Sequence, residues 1–158
     1  MTEQKKSGSI NIPSKKNPLE IGWCELIQLP SLGLVDIHAK IDTGAKTSSI
    51  HATRIKEFDR DGEKWVEFWF RENAGLKAVR KEAPILEQRK VKSSNGEQQI
   101  RYVIKVEISL GNLQWLGEMT LANRGSMAFP VLMGRRALSR GFLVNSAKRW
   151  TLGKKEKI

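Results

Sequence analysis

The sequence predicts an all-β domain, a barrel or a sandwich, and two observations support this. Apolar and polar residues alternate at period two along several short runs, as in Tyr102 to Ile108. Turn pairs separate the runs, among them Asp61-Gly62 and Gly111-Asn112. Asp-Gly and Asn-Gly pairs favour tight hairpins, because both central residues of a type I′ turn need a positive φ.

The predicted strands follow one another along most of the chain, with few helical patterns between them. In order they are IGWCELIQL, LVDIHAKI, KWVEFWF, IRYVIKVEISL, WLGEMTL and FPVLMG. One later segment, residues 135–139, predicts a short helix. No internal repeat of the solenoid kind is present.

The 158 residues have the length of one domain. We expect a flexible basic arm over residues 1–18, a folded domain over 19–147 and a basic tail over 148–158. Lys and Arg number 28 against 17 Asp and Glu, a net charge of +11. This charge attracts polyanions, but no basic helix, RNA-binding signature or zinc finger accompanies it.

Three features favour a soluble, cytoplasmic protein with no membrane partner. The single cysteine, Cys24, excludes a disulfide within the chain. No apolar run approaches the roughly 18 residues that span a bilayer. The basic N-terminal stretch is not followed by the apolar segment of a secretory signal.

The motif Asp42-Thr43-Gly44 directly follows a predicted strand that ends at Ile41. This pattern is typical of the active-site loop of aspartic peptidases. The Asp must lie on a tight turn that presents its carboxyl group to a second carboxyl group. The Gly allows a backbone amide to approach that carboxylate closely, and the Thr hydroxyl can brace the loop.

Two further elements stand in the order that an aspartic peptidase requires. Val131-Leu132-Met133-Gly134 supplies a late apolar strand that ends in Gly, 92 residues after Asp42, and the predicted helix follows it. Between the two motifs, residues 91–98 predict a polar hairpin where a flap should cover the substrate. The three elements together predict an aspartic peptidase architecture.

The resemblance extends beyond these elements to one family. The matching segments are Gly22-Trp23, Ala39 to Ala45, Ser48 to Ala52, Arg89 to Gly96, Leu121 to Arg124 and Leu132 to Leu138. The chain resembles the retropepsin-like family that has long carried the label of ATP-dependent zinc proteases. The resemblance implies a retropepsin-like closed β-barrel protomer with a short C-terminal helix, paired in a two-fold dimer. It also implies association with ATP-grasp ligases that add glutamates to protein C-termini, and trimming of such tails. Met133 stands where the family more often has Leu, a change that conserves volume.

The zinc label does not agree with the residues. Catalytic zinc takes three protein ligands, chiefly His, and the soft candidates here are only His38, His51 and Cys24. We expect His38 to share a strand face with Lys40 and Asp42. The chain also lacks a phosphate-binding loop for ATP. We therefore predict that neither zinc nor ATP is used, and no other cofactor is expected.

The predicted mechanism needs a homodimer, because one chain supplies one Asp-Thr-Gly. Two Asp42 carboxyls would share a proton across the two-fold axis. Thr43 would brace the two loops, and Gly44 would direct its amide at the carboxylate. Candidate substrate-binding residues, chosen largely as cations or flap residues for an acidic peptide, are Lys40, Ala45, Arg89, Lys92, Ser94, Asn95, Gly96, Arg101 and Arg135.

Two alternatives remain open beside the peptidase. In one, the barrel binds an acidic tail or a ligase partner without cutting it. In the other, it is a basic β-barrel that binds nucleic acid, and the net positive charge is the only sequence feature that supports this. Arg135 has two expected roles as well, since it could bind substrate or hold the dimer together by pairing with an acid.

Overall fold

The structure, a computed structural model, describes residues 11–73, 75–92, 96–123 and 128–153, with the backbone alone at 91 and 92. These residues form eleven strands: β1 (Leu19–Ile21), β2 (Cys24–Leu29), β3 (Leu34–Ile41), β4 (Ser49–His51), β5 (Thr53–Arg60), β6 (Glu63–Phe70), β7 (Val79–Lys92), β8 (Gln98–Leu110), β9 (Leu113–Ala122), β10 (Val131–Met133) and β11 (Phe142–Val144). A 3₁₀ turn occupies Pro30–Leu32, and helix α1 spans Arg135–Leu138. None of the described helices is long and apolar enough to span a membrane.

Six strands close into a barrel, which confirms the predicted all-β fold. Their order is β2-β3-β10-β4-β9-β8, and β8 pairs back with β2 through Ser109 and Gln28. Strand β10 lies parallel to β3 and antiparallel to β4, so it is inserted between them. The strand that precedes Asp42 is therefore held on one side by a segment from near the other end of the chain.

Three strands extend the sheet beyond the barrel. β7 pairs with β8, β6 with β7 and β5 with β6, all antiparallel. The turn between β5 and β6 has φ values of 52° at Asp61 and 81° at Gly62, the signs that the Asp-Gly pair predicted. β7 and β8 form the long hairpin in which the flap was predicted.

The core follows from the alternation along these strands. In β3, Ile37, Ala39 and Ile41 are buried, while Lys40 between them is exposed. The same buried cluster includes large side chains from other strands, such as Phe68 and Ile108, each stabilising the fold by roughly 1.5–3 kcal/mol relative to exposure. The inner face of β3 is thereby fixed up to the residue before Asp42.

The described residues near both ends pack beyond the predicted domain bounds of 19 and 147. The Gln114 amide donates to the Asn11 carbonyl at 2.8 Å. Thr151 and Leu152 hydrogen-bond to Glu25, whose side chain in β2 is completely buried. At the C-terminal side the packing has a physical reason, because a buried carboxylate must accept hydrogen bonds. Residues 1–10 of the predicted arm and 154–158 of the predicted tail lie outside the described residues.

Candidate active site

Asp42 comes directly after β3, where two hydrogen bonds fix the backbone. The Ile41 amide donates to the Trp23 carbonyl at 2.8 Å, and the Asp42 amide donates to the Met133 carbonyl at 2.9 Å. Neighbouring strands therefore hold both sides of the chain at this point. The Asp42 side chain is half-buried beyond the end of the strand.

The loop itself orients the Asp42 carboxylate. The Gly44 amide donates to Asp42 Oδ1 at 2.9 Å, and the Ala45 amide donates to the Asp42 carbonyl at 3.2 Å. A Cβ at Gly44 would lie 3.2 Å from the same Oδ1, so the close approach expected of this glycine is present. An aspartate held by a backbone amide on a tight turn suits a carboxyl group that must keep one orientation.

The segment that follows β10 completes the loop from the other side. The Arg135 and Arg136 amides donate to the carbonyls of Ala45 and Lys46, at 2.8 Å and 3.0 Å. Gly134 lies so close to this loop that a Cβ would be 2.6 Å from the Thr47 oxygen. The two predicted motifs thus meet, as an aspartic peptidase architecture requires.

Ser48 is a positioning residue to which the sequence analysis assigned no role. It is buried, and its Oγ accepts a hydrogen bond from the Gly134 amide at 3.1 Å. Its carbonyl accepts a second one from the Thr120 amide at 2.9 Å. Ser48 therefore ties the active-site segment to β9 and to the turn before α1. The sequence feature that could have indicated Ser48 is its position in the run of small polar residues Thr47-Ser48-Ser49.

The Arg135 side chain contacts the active-site loop of its own chain. Its Nη1 donates to the Thr43 carbonyl at 3.0 Å. This bond joins positions 92 residues apart and braces the Asp42-Thr43-Gly44 turn. Bracing is a third role, beside the two expected for Arg135, and it leaves the rest of the exposed guanidinium available for a further contact.

Two lysines flank the Asp42 turn. Lys40 is exposed two residues before Asp42, and Lys46, which was not among the predicted site residues, is exposed four residues after it. Neither forms an ion pair within the part of the chain that the structure describes. The expected shared strand face holds for His38 and Lys40, which both lie on the side of β3 away from the buried Ala39.

Arg89 and Arg101 lie opposite each other on β7 and β8. The Arg89 guanidinium is bound by Glu87 at 2.5 Å and by Glu118 at 3.3 Å. The pKa of Glu87 lies below its ordinary value, chiefly because Arg89 donates to it. Arg136 also pairs with Glu118, at 3.0 Å. Arg89 is thus engaged in a network on the side of the barrel, which sequence alone did not predict.

The predicted flap is described only in part. β7 and β8 remain paired as far as Lys92 and Gln98, and Gly96 is exposed with a φ of 88°. Ser94, Asn95 and the Lys92 side chain lie outside the described residues. Their assignment to a substrate-covering flap stays a prediction.

The surroundings of two soft donor residues, His38 and Cys24, do not suit a zinc ligand. His38 packs against the Trp150 ring, with centroids 5.0 Å apart. Cys24 is buried, and that burial raises the pKa of its thiol, which opposes the thiolate form that binds metals. Among the described residues, no group of three His, Cys, Asp or Glu side chains is placed to hold a metal ion.

A family model matches residues 20–155, and its description is "Retropepsin-like aspartic endopeptidase RimB". Two curated relatives carry a different name, "Probable alpha-L-glutamate ligase". The one from Shewanella pealeana is 43% identical over 141 residues, covering 88% of this chain and 31% of the relative. The one from Desulfotalea psychrophila is 39% identical over 140 residues, covering 85% and 29%. The chain therefore spans about three tenths of the length of these relatives.

The fold also matches a solved structure. A crystal structure of a Legionella pneumophila protein of unknown function superposes with a TM-score of 0.72 at 28% sequence identity. The match covers 85% of this chain and 98% of that one. The barrel and its extension are therefore shared by a second protein over nearly its whole resolved length.

Proposed function

The chain belongs to the RimB-like family of retropepsin-like aspartic endopeptidases, and on this basis we propose that it hydrolyses peptide bonds in acidic, glutamate-rich polypeptide tails. The observation that carries the proposal is the Asp42 turn, whose carboxylate accepts the Gly44 amide at 2.9 Å. The hydrogen bonds from Arg135 and Arg136 to the following loop support it further. An intact, braced Asp-Thr-Gly turn is what an aspartic peptidase needs.

In the proposed mechanism, two Asp42 carboxyls, one from each subunit of a homodimer, face each other. Two carboxylates about 3 Å apart cannot both ionise, so the pair keeps one proton. The ionised member accepts a proton from a bound water, which attacks the peptide carbonyl carbon. The protonated member donates to the carbonyl oxygen, and a proton is then delivered to the leaving amine. No covalent intermediate with the enzyme forms.

The proposed preference for acidic tails is supported by charge. Lys40 and Lys46 are exposed on either side of Asp42 and form no ion pair with another described residue. A substrate with several carboxylates would be attracted to these cations. The name of the relatives, "Probable alpha-L-glutamate ligase", supports the proposal of a glutamate-containing substrate, and we include association with such a ligase in the proposal. The single buried cysteine suits a reducing cytoplasm.

A non-catalytic binder of acidic tails is the main competing function. It would use the same cations but would not require the Asp42 turn, since a buried acid pair stabilises a binding site poorly. A nucleic-acid binder would likewise be indifferent to Asp42. Substitution of this residue therefore separates the peptidase from both alternatives.

Replacing Asp42 by asparagine is expected to abolish cleavage while leaving the fold intact. Asparagine has nearly the same shape, but it cannot exchange a proton with the attacking water. The measurement is mass spectrometry of peptides ending in several glutamates after incubation with each protein. Asp61→Asn is the control, because Asp61 lies in an exposed turn whose φ of 52° asparagine tolerates. Equal cleavage by the Asp42→Asn variant would refute the mechanism.

Mixing native and Asp42→Asn subunits is expected to lower activity more than simple dilution does. If each site needs an Asp42 from both subunits, mixed dimers are inactive, and an equal mixture keeps about one quarter of the activity of an all-native sample by random pairing. The measurement is the cleavage rate at constant total protein after equilibration. Activity that falls only by half would show that each chain acts independently.

A further inference from the structure

A cleft of about 370 Å³ opens on the side of the barrel, between β8, β9 and α1. We call it the side cleft. Its lining includes three cationic residues, Lys105, Arg136 and Arg140, and two leucines, Leu86 and Leu116. Thr47 forms part of the edge nearest the active-site segment. None of the predicted site residues near it except Arg89, which binds Glu118 in the lining, indicated this surface.

The charge of the side cleft is unbalanced. Arg136 pairs with Glu118 at 3.0 Å, and Arg89 shares that carboxylate. In the ranges that the structure describes, Lys105 and Arg140 form no ion pair and are exposed, and the acidic residue opposite Lys105 on β9 is the same Glu118. Glu118 is the one acidic residue in the lining. The cleft therefore presents cations that a ligand with carboxylates would neutralise.

Exposed apolar side chains also line the side cleft. The side chains of Leu86 and Leu116 are 44% and 56% exposed, respectively. Trp115 lies in the same lining, and its buried Nε1 has no hydrogen-bond partner among the described residues. Solvent-exposed leucines beside cations suit a ligand that carries both carboxylates and methylene groups. Glutamate side chains have this combination.

The side cleft is continuous with the active-site segment. Thr47 and Ser48, which line it, follow Asp42 by five and six residues. The Lys46 carbonyl is bonded to the Arg136 amide at 3.0 Å, so the same short loop contacts both the Asp42 turn and the cleft wall. The cleft and the Asp42 turn are therefore joined through one loop, residues 42–48.

We propose that the side cleft is a second binding site for the polypeptide that this protein cuts. It takes a glutamate-containing stretch outside the cleaved segment, with carboxylates at Lys105 and Arg140 and methylene groups against Leu86 and Leu116. The identity of the ligand as a substrate rests on the proposed function. The site adds affinity for long acidic tails over short ones and takes no part in the chemical step.

The test uses two peptides that share one cleavable glutamate segment. One is extended by several further glutamates, and the other by the same number of glutamines. With the native protein, we expect the glutamate extension to lower KM by about ten-fold, equivalent to ~1.4 kcal/mol, and high salt to reduce the difference. In the double variant Lys105→Gln/Arg140→Gln, the KM values should become equal, with kcat and cleavage of the unextended peptide unchanged.

A double variant with the same charge change away from the cleft serves as the control. Lys56→Gln/Lys77→Gln also removes two exposed positive charges, but neither residue lines the side cleft, and this variant should keep the ten-fold difference. If the cleft variant keeps it as well, the inference is wrong while the peptidase proposal stands.

A binding assay keeps the inference testable if no peptide is cut. Fluorescence anisotropy of the labelled extended peptides with the Asp42→Asn protein, with and without the two cleft substitutions, gives the same comparison. If the cleft substitutions remove the preference for the glutamate extension, the side cleft binds that extension whether or not the protein cuts the peptide. A labelled single-stranded oligonucleotide is measured in the same way. If it binds as tightly as the glutamate peptide, and the cleft substitutions abolish that binding, the cleft is a general polyanion surface and the inference is overturned.

Discussion

Replacing Glu25 by glutamine is expected to lower the free energy of unfolding by about 1.5–3 kcal/mol, the usual loss for buried hydrogen bonds to a charged group. Glu25 Oε2 accepts hydrogen bonds from the Gly22 amide at 2.6 Å and the Thr151 hydroxyl at 2.6 Å, and a longer one from the Thr151 amide. Its Oε1 accepts the Leu152 amide at 3.2 Å. Glutamine has one acceptor oxygen, so its NH₂ group would face another donor.

Urea denaturation measures this effect as a shift of the transition midpoint, provided that the dependence of the free energy of unfolding on urea concentration is the same in both proteins. Glu20→Gln is the matched control, because Glu20 also contacts the C-terminal part of the chain, through Asn145 and Lys148, but is exposed. We expect the control to leave the midpoint nearly unchanged. A Glu25→Gln protein with the native midpoint would show that the hydrogen bonds of the Glu25 carboxylate do not stabilise the fold.

Replacing Gly134 by alanine is expected to reduce peptide cleavage by about 100-fold, the size of effect that a displacement of about 1 Å can have. The added methyl would lie 2.6 Å from the Thr47 oxygen and 2.9 Å from the Ala45 oxygen. These are backbone atoms of the active-site loop, so the loop must move. We also expect the free energy of unfolding to fall by about 1–3 kcal/mol, as for other overpacked sites.

The activity loss should appear in kcat, measured with saturating acidic peptide at a temperature where the variant is folded. Gly75→Ala is the control, since the nearest atom to a Cβ there is a side-chain oxygen of Asn73 at 3.3 Å, in an exposed turn. Native kcat in the Gly134→Ala protein would mean that the loop tolerates displacement, and the proposed bracing of Asp42 would then be unnecessary.

The sequence was sufficient to predict the fold and the central turn, because both depend on local patterns. Alternation at period two specified the strands, and the Asp61-Gly62 hairpin has the φ values that its residues favour. The Asp42 turn and Gly134 were identified as motifs, and the structure places them together. These features can be predicted without knowing which side chains contact each other.

Features that depend on distant partners could not be predicted in this way. Ser48 was missed because its partner, Gly134, is 86 residues away. Arg89 was expected to be available to substrate, yet Glu118 binds it from another strand. Glu25 shares its strand face with Ile27 and Leu29, so alternation places it toward the core, but only the return of residues 151–152 shows which groups donate hydrogen bonds to its carboxylate. In each case the alternation indicates the face of the strand but not what covers it.

The insertion of β10 between β3 and β4 has a consequence for the order in which the molecule becomes complete during synthesis. When the first 120 residues or so have left the ribosome, β3 can already pair with β2, but the Met133 carbonyl that receives the Asp42 amide does not yet exist. Gly134 and the Arg135 brace come later still. A nascent chain therefore carries its aspartate in a turn that lacks these contacts until residues 133–135 have been translated, and under the proposed function no cleavage is expected before then.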